Sequence, residues 1–579
     1  MKRLAATAFA MLCLATNIMA ETKDIKIKVL ATSDVHGCFF PYNFIERQPM
    51  KGSLARVSHY VNNLREEYGT RLLLLDNGDI LQGQPTCYYS NYIKPNMPNA
   101  AALAINYMKY DANTIGNHDV ETGHAVYDKW IDEVNCPTLG ANVIDNTTGE
   151  PYLKPYAMFV RDSVKIAVLG LITPAIPNWL HESLWSGLHF VEMEECCKRW
   201  VKHLKDVEKA DVIIGLFHSG WNGGISTLHY NEDATESVAK NVDGFDIIFF
   251  GHDHNKRKAI VTGPSGKEVL CLDPSCNAMY VADATLDLKV KDGTVMDKSI
   301  DGTLVCMADT PLDEGFIGHM KAVEDSVSQY TSRKIGEFTE TIRTSDCFFG
   351  SSAFNDFIHE IQLNVTGAEI SFNAPLTFDS QINKGDVFMS DMFKLYKYEN
   401  QMYVMKMRGK EIRKHLEMSY DQWVNTMKSA DDHIMLLSPM TQYDRQKCGF
   451  KNLTFNFDSA AGIDYVVDVT KPDGQKVKIL RMSNGEPFVE DKWYRVVMNS
   501  YRGNGGGELL TKGAGISPKD IESRIMWKSE FDQRYYITKE IERRGTITPK
   551  SFNNWKFVPE EWTTKAIERD RKVLFGEQK

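Results

Sequence analysis

Short apolar runs recur between residues 25 and 310 of this chain, and each of them stops at a cluster of glycine and polar residues. Their length and their content of Val, Ile, Leu and Phe are typical of strands that are buried on both faces. Helix-like segments over residues 54–68 and 193–209 separate several of the runs. The predicted strands are residues 25–32, 72–75, 112–115, 165–172, 212–217 and 247–250. This alternation predicts a layered α/β domain.

Polar side chains follow five of these strands at the point where each strand ends. The sequences are SDVHG at 33–37, NGD at 77–79, GNHD at 116–119, HSG at 218–220 and GHDH at 251–254. A single Gly-Asp or His-Ser-Gly is usually only a strand-ending turn. In open α/β sheets, however, ligands bind at the carboxyl ends of the strands, so the five segments together predict one functional rim.

The rim carries two aspartates, one asparagine and four histidines as candidate metal ligands. Seven mixed nitrogen and oxygen ligands are too many for one tetrahedral ion, and they suit two metals that share a bridging carboxylate. Such sites accept Mn, Fe, Co, Zn or Ni. On an extended segment, residues two apart point the same way. This predicts that Asp34 and His36 act as one pair and that His252 and His254 act as another. The candidate ligands are Asp34, His36, Asp79, Asn117, His218, His252 and His254.

A two-metal site fits phosphoryl transfer, because one ion lowers the pKa of a water molecule while both ions neutralise the phosphate. The order DxH, GD, GNHD, HSG and GHDH resembles the calcineurin-like metallophosphoesterases, specifically the 5'-nucleotidase and cyclic-nucleotide phosphodiesterase family. For the first domain, the resemblance implies a four-layer α/β/β/α fold. It also implies one metal held by Asp34, His36, Asp79 and His254, and a second held by Asp79, Asn117, His218 and His252.

Two further residues acquire catalytic roles from the resemblance. His118 is not a ligand in the family pattern, and it would face the phosphate to stabilise the transition state or protonate the leaving oxygen. The family commonly has an aspartate three residues beyond this histidine to orient it. Here that position is Glu121, a departure from the pattern, although a glutamate can orient the ring from slightly further away.

A second unit is predicted after Pro311. Its expected elements are a linking helix over 316–330, strands over 368–372, 402–407, 465–469 and 494–498, a helix over 410–418, and a helix capped by Asp532 that stops at Gly545. The predicted layout is a catalytic domain over 21–310, a helical linker over 311–335, a smaller α/β nucleotide-binding domain over 336–560, and a charged tail over 561–579 that is a solvated helix or disordered.

Segments of the second unit also resemble substrate-binding segments of the family: NAPL at 373–376, LYKYEN at 395–400 and NSYRGNGGG at 499–507. The match implies that Tyr398 and Tyr501 sandwich the nucleobase of a nucleotide substrate, with Asn400 assisting. The same residues, without the resemblance, are equally compatible with two core tyrosines and a glycine-rich turn.

One departure from the family bears on the substrate. The 5'-nucleotidase branch typically has Gly-Gly-Ile-Arg after the strand that ends near Phe372, whereas this chain has APLT at 374–377. The segments therefore look more like the 2',3'-cyclic-nucleotide 2'-phosphodiesterase and 3'-nucleotidase branch. The alternatives are a 5'-nucleotidase or UDP-sugar hydrolase with the same metals, and a non-catalytic nucleotide-binding protein, which the intact ligand set disfavours.

The net charge bears on the binding partners of the protein, and the amino-terminal residues bear on its cellular compartment. A formal net charge of -10 argues against binding of nucleic-acid polymers, which requires a basic face. Residues 1–20 begin with Lys2 and Arg3, continue apolar and end at Ala20, which predicts a signal peptide cleaved near Ala20 and a periplasmic or secreted enzyme; a lipoprotein signal at Cys13 is the weaker alternative. No later stretch is long and apolar enough for a stable membrane span.

The cysteines leave two possibilities open. Ten remain once Cys13 leaves with the predicted signal, and none has the CxxC spacing of a zinc site. Disulfides between Cys271 and Cys276, or from Cys196 or Cys197 to a distant partner, are compatible with an oxidising compartment. Buried thiols are the other possibility.

Overall fold

Two six-stranded sheets form the centre of the first domain in the computed structural model, which describes residues 22–438 and 449–576. The first sheet has the order Thr294–Cys306, Tyr280–Lys291, Lys23–Thr32, Leu72–Asp76, Ala112–Thr114 and Thr138–Leu139. The second has the order Lys256–Thr262, Glu268–Pro274, Ile247–Phe250, Val212–His218, Val164–Ile172 and Tyr156–Arg161. All six predicted strands are present.

The two sheets pack face to face over a core made of alternate residues of their strands. Val29 and Ala31 face the second sheet, whereas Leu30 between them packs against the helices outside. Ile214 and Leu216 of the second sheet enter the same central core, while Ile213 faces outward. Inner strands such as Leu72–Asp76 and Ile247–Phe250 are covered on both faces and are buried along their whole length. The edge strands Lys256–Thr262 and Thr294–Cys306 instead expose polar and charged residues.

Helices cover the outer face of each sheet. The first sheet is covered by Leu54–Tyr68, Ala100–Met108 and His124–Glu133, and the second by Met193–His203 and Thr235–Asn241. The predicted helix over 193–209 is divided, because its last part, Leu204–Glu208, is a wider helical turn. Helix, sheet, sheet and helix layers make the four-layer α/β/β/α domain that the sequence predicts.

The strands that precede the polar segments are parallel neighbours. Lys23–Thr32 pairs in parallel with Leu72–Asp76, which pairs in parallel with Ala112–Thr114. In the second sheet, Val212–His218 pairs in parallel with Ile247–Phe250. Their carboxyl ends therefore lie at one edge of the two-sheet core, and this edge faces the second domain.

A helix of 18 residues, Glu314–Thr331, covers the predicted helix over 316–330 and precedes the second domain. The second domain contains a five-stranded sheet in the order Ser459–Ala461, Ile370–Asn373, Trp493–Asn499, Gln401–Arg408 and Ile525–Asp532. Two three-stranded sheets adjoin it: Val477–Met482, Ile463–Asp468 and Trp555–Val558; and Gly385–Phe388, Lys334–Phe338 and Thr546–Ile547. Its main helices are Ala353–Thr366, Asp391–Leu395, Gly409–Trp423 and Gln533–Arg544. The last of these is capped by the Asp532 side chain and ends at Gly545, as predicted.

The segment predicted as a solvated helix or a disordered tail is a helix, Glu560–Phe575, and it packs against the second domain. Phe575 stacks on Phe378 at 4.6 Å between ring centroids, and the fully buried Asp570 accepts a hydrogen bond from the backbone N–H of Met435. The helix is therefore confirmed, whereas its predicted solvation was wrong, because Ala566 is buried and Trp562, Ile567, Leu574 and Phe575 pack against the core of the second domain.

The described cysteines form no disulfide. Cys271 and Cys197 pack as small apolar side chains in the core outside the second sheet, with Cys196 beside them. The possible bridges from these three residues are therefore not formed, and Cys13 and Cys448 lie outside the described residues. The predicted signal peptide also lies outside them. Within the described ranges no helix combines the length and the apolar character that crossing a bilayer requires.

Candidate metal centre

Four side chains from three strand ends meet in the first of two ligand groups. The first ligand group consists of Asp34, His36, Asp79 and His254. The Nε2 atoms of His36 and His254 lie 3.0 Å apart, and His254 Nε2 lies 3.3 Å from Asp34 Oδ1. His36 Nε2 lies 3.9 Å from both Asp34 Oδ1 and Asp79 Oδ2. Two oxygens and two nitrogens thus surround one point at distances that a single cation can span.

A second group adjoins the first through Asp79. Its carboxylate Oδ2 lies 3.2 Å from His218 Nε2, which lies 3.1 Å from Asn117 Oδ1. The same amide oxygen is 2.7 Å from Nδ1 of His252. All seven candidate ligands therefore lie in two neighbouring sets with Asp79 between them.

The unpaired oxygen atoms of the two carboxylates are suited to binding cations. Asp34 Oδ1 and Asp79 Oδ2 are buried and have no hydrogen-bond partner among the described residues. The other oxygens of both carboxylates are satisfied, because Asp34 Oδ2 accepts from the backbone N–H of His252 and Asp79 Oδ1 accepts from that of His118. A buried carboxylate oxygen without a donor is costly, and a bound cation satisfies it directly.

The backbone at the site is strained. Five of the seven candidate ligands adopt left-handed φ angles, namely Asp34 at 51°, His36 at 49°, Asp79 at 56°, His252 at 79° and His254 at 59°. This conformation is uncommon for residues other than glycine and clusters at functional sites. It corrects the prediction that these segments are extended. His252 and His254 do not act as a pair, since their side chains enter different ligand groups.

Two glycines of the motifs are required by close approach. A Cβ at Gly116 would lie 2.1 Å from Asp79 Oδ1, and one at Gly251 would lie 2.0 Å from Ser33 Oγ. Asp119, the last residue of GNHD, is not a ligand, because its carboxylate accepts from four backbone N–H groups, those of residues 79, 80, 81 and 116. Asp119 thus holds two of the ligand loops together.

Hydrogen bonds on the far side of the imidazoles fix their tautomers. His36 Nδ1 lies 3.1 Å from the carbonyl of Gln82, and His218 Nδ1 lies 2.7 Å from that of Asn77. Each Nδ1–H donates to its carbonyl, which leaves the Nε2 lone pair for a metal. His252 is reversed: its Nε2 lies 3.2 Å from Glu232 Oε1, so its Nδ1 faces the second group.

Sequence reasoning missed Glu232. It lies on the second strand of the hairpin Gly223–Ser226 and Asn231–Asp233, and its other carboxylate oxygen accepts from the backbone N–H of Ile225 at 2.6 Å. No motif signals it, because its partner His252 is 20 residues away in the chain. A carboxylate that accepts from a ligating histidine is a recurrent feature of metal sites.

The charges at the site are strongly coupled. Burial opposes the protonated form of His218, but Asp79 and Asp34 outweigh burial and raise its pKa to about 10, so a cation that binds at its Nε2 would displace a proton from that atom. Burial also raises the pKa of the Asp34 carboxyl, yet His218 and His254 lower it below its ordinary value. Burial and His254 lower the pKa of His36 to about 3, which favours the neutral form of this imidazole. The carboxylates create a negative potential that a cation would neutralise.

His118 and Glu121 form the predicted dyad contact. His118 Nδ1 lies 2.6 Å from Glu121 Oε2, one helical turn away. The longer side chain therefore reaches the ring despite the departure from the family's aspartate. His118 is absent from both ligand groups, and its ring lies edge-on to that of His36 at 5.5 Å between centroids.

A cleft of about 2160 Å³ opens between the two domains over the two ligand groups. His118, Tyr398, Asn400 and Tyr501 all line it. The Tyr398 ring is parallel to that of His118, at 3° and 6.3 Å between centroids. Tyr501 packs edge-on against Phe455 at 5.9 Å, an aromatic lining residue that the sequence analysis did not identify. The predicted substrate residues thus share one cavity with the ligand groups.

Comparisons with known proteins agree with this architecture. Residues 27–256 match the family model of the calcineurin-like phosphoesterases, and residues 334–512 match that of the 5'-nucleotidase C-terminal domain. A Staphylococcus aureus structure solved with alpha-ketoglutarate has the same fold, with a TM-score of 0.74 and 21% identity over 92% of this chain and 100% of that one.

Two curated relatives cover most of the chain. It is 25% identical to the 2',3'-cyclic-nucleotide 2'-phosphodiesterase/3'-nucleotidase of Haemophilus influenzae, over 96% of this chain and 91% of that protein. It is 24% identical to a trifunctional nucleotide phosphoesterase of Bacillus subtilis over 94% of this chain, but it spans only 40% of that longer protein.

Proposed function

We propose, from the premise that this chain belongs to the calcineurin-like phosphoesterases that carry a 5'-nucleotidase C-terminal domain, that it hydrolyses 2',3'-cyclic nucleotides and 3'-nucleotides. The chain is a metal-dependent phosphoester hydrolase. The observation that carries the proposal is the buried Asp79 Oδ2, which lies at the floor of a cleft between two ligand groups, 3.9 Å from His36 Nε2 and 3.2 Å from His218 Nε2.

In this proposal, Asp34, His36, Asp79 and His254 hold one divalent cation, and Asp79, Asn117, His218 and His252 hold the second. Bound there, the cations would neutralise the phosphate and lower the pKa of an attacking water. The protein residues orient the reaction: the hydrogen bonds from His36 to the Gln82 carbonyl and from His218 to the Asn77 carbonyl keep the two rings in their ligating tautomers.

His118 would act on the leaving group. Its Nδ1 is bonded to Glu121, so its Nε2 is the ring atom available to the cleft. Burial opposes protonation of His118, but Asp79 and Glu121 outweigh burial and raise its pKa. A protonated His118 can donate the Nε2 proton to the ribose oxygen as the phosphorus–oxygen bond breaks. Glu121 fixes the ring and stabilises its charged form.

The charge of the cleft supports a substrate with a single phosphate group. Away from the histidines, the lysine and arginine side chains among the described lining residues are Arg257 and Lys512, and Arg257 lies over the Trp221 ring at 5.3 Å. Polyphosphates need several cationic contacts. A cyclic phosphodiester carries one negative charge. Cations bound in the two ligand groups, together with His118, would suffice to neutralise it.

Tyr398, Tyr501 and Asn400 would bind the nucleoside. The aromatic rings offer flat faces that tolerate any base, and the asparagine offers both a donor and an acceptor. The enzyme would act in the periplasm or outside the cell, after removal of the signal peptide predicted near Ala20. Mass spectrometry of the mature amino terminus tests that last point.

An activity panel tests the proposed function. The purified mature chain is assayed for phosphate-ester hydrolysis with 2',3'-cyclic, 3'- and 5'-nucleotides and with UDP-glucose, after chelation and again after addition of Mn²⁺ or Zn²⁺. We expect metal-dependent hydrolysis with the cyclic and 3'-substrates preferred. A preference for 5'-nucleotides or the nucleotide sugar would transfer the assignment to the other branch, and nucleotide binding without turnover would refute it.

A further inference from the structure

Arg534 is a fully buried charged residue that the proposed chemistry does not use. It lies on the second-domain helix Gln533–Arg544, whose first residues face the domain interface. Burying a guanidinium is costly unless its donors are paired. The partners of Arg534 therefore indicate what the protein gains from placing it there.

Three of those partners belong to one short segment, residues 396–399. Arg534 Nε donates to the carbonyl of Tyr396 at 3.1 Å, and Nη2 donates to that of Lys397 at 2.8 Å. Nη1 donates to Glu399 Oε1 at 3.0 Å. Tyr398 lies within this segment and Asn400 follows it. A single side chain thus holds the backbone just before the tyrosine that lines the cleft and the side chain of the residue just after it.

The guanidinium also joins this segment to the first domain. Its carbon lies 4.0 Å from the ring centroid of Phe393 and 4.6 Å from that of Tyr88, a residue of the first domain. The Tyr88 hydroxyl donates to Asp532, the cap of the helix that carries Arg534. Cation–π contacts of a desolvated guanidinium are among the stronger ones in proteins.

A second set of hydrogen bonds links Glu399 to the first ligand group. Gln82 Nε2 donates to Glu399 Oε2 at 3.4 Å, and the Gln82 carbonyl is the acceptor for His36 Nδ1 at 3.1 Å. One segment of the first domain, residues 82–88, therefore contacts both a candidate metal ligand and the partners of Arg534. Tyr398, within the segment held by these contacts, lies parallel to His118 at 6.3 Å between ring centroids.

We propose that Arg534 is a positioning residue that holds the segment 396–400 against the first domain, and thereby sets the position of Tyr398 for binding the nucleoside. The proposal rests on the proposed function only in naming a nucleoside as the group that Tyr398 contacts. The geometry it requires, a planar fork with three acceptors in different directions, is one that arginine provides and lysine does not.

The test uses three variants of the metal-loaded full-length enzyme. Arg534→Lys keeps the charge and removes the fork. The double variant R534M/E399Q removes the ion pair without leaving Glu399 charged and unpaired. The matched control is Arg543→Met on the same helix, since Arg543 is 69% exposed and pairs only with Glu540 among the described residues.

Two measurements separate positioning from a merely structural role. The first is inhibition of bis(p-nitrophenyl) phosphate hydrolysis by adenosine, which reports nucleoside binding without chemistry. Lost hydrogen bonds to a charged group correspond to a roughly tenfold to hundredfold rise in the adenosine inhibition constant. The KM for the aryl phosphodiester should change by less than about twofold, because this substrate does not need the nucleoside contacts.

The second measurement is hydrogen–deuterium exchange of the backbone amides of residues 396–400, which requires no ligand. We expect faster exchange there in both Arg534 variants and wild-type exchange in the control. Unchanged exchange together with an unchanged inhibition constant overturns the proposal, as do equal losses on adenosine and the aryl substrate. If adenosine fails to inhibit the wild-type enzyme, the nucleoside assignment is refuted and the exchange result alone decides the role of Arg534.

Discussion

Replacing Asp79 by asparagine tests the two-metal arrangement most directly. The side chain is 1% exposed and its shape is retained, so Oδ1 of the new residue can still accept from the His118 N–H, a 2.8 Å contact in the wild type. The atom that changes is Oδ2, which lies 3.9 Å from His36 Nε2 in one ligand group and 3.2 Å from His218 Nε2 in the other. An amide NH₂ there cannot bind a cation.

The expected magnitude follows from the burial of the carboxylate. Removing one partner of a buried charge pair costs about 3 to 5 kcal/mol. If each ion loses that much, its affinity falls by about two to three and a half orders of magnitude. Because Asp79 contacts both groups, both ions should be lost together rather than one after the other.

Thermal unfolding measures this loss. A ligand at about 100 times its Kd stabilises the folded state by about 2.7 kcal/mol, so Mn²⁺ should raise the Tm of the wild-type protein by several degrees over its chelated form. The rise should vanish in Asp79→Asn at the same Mn²⁺ concentration. Comparing each protein with its own chelated form removes any effect of the substitution on the fold itself.

Asp273→Asn is the matched control. Asp273 is as deeply buried, burial together with Asp253 and Asp34 raises the pKa of its carboxyl well above the ordinary value, and the residue belongs to neither ligand group. This variant should keep the metal-induced rise in Tm. Full metal content and a normal rise in Asp79→Asn would refute the bridging role.

Three further variants divide the chemistry among the remaining residues. His118→Ala should lower turnover on every substrate by about 10² to 10⁴ while elemental analysis shows unchanged metal content; loss of metal would make it a ligand. Glu232→Gln should weaken the cation next to His252 by about tenfold or more, seen as reduced occupancy in metal titrations, because the ring loses a charged acceptor. The double replacement of Tyr398 and Tyr501 by alanine should remove about 1 to 3 kcal/mol per aromatic contact, which kcat/KM for nucleotides would report while aryl phosphodiester hydrolysis changes little. Equal losses on both substrates would make the tyrosines structural.

The fold was predictable because its signals are local. Each buried strand is apolar along its own length, and the helix Leu54–Tyr68 has the predicted bounds because its cap and its apolar spacing lie within a few residues. The prediction that the tail is solvated failed because the packing of its helix depends on residues far away in the chain. Charge composition was visible in residues 561–579, whereas the apolar face of that helix acquires meaning only against Phe378, nearly 200 residues earlier in the chain.

The sequence by itself identified the seven candidate ligands, because each of them stands at or shortly after the end of a strand and the strand order carries it to one edge of the core. Only the tertiary structure decided how those groups are used. The left-handed backbone at residues 252 and 254 separates two histidines that an extended segment would have kept together. Glu232 reaches His252, and Arg534 reaches Tyr88, across distances in sequence that no motif spans. The physical reason is that ligand identity is encoded by residue type next to a strand, whereas orientation depends on hydrogen bonds between segments that meet only when the chain is folded.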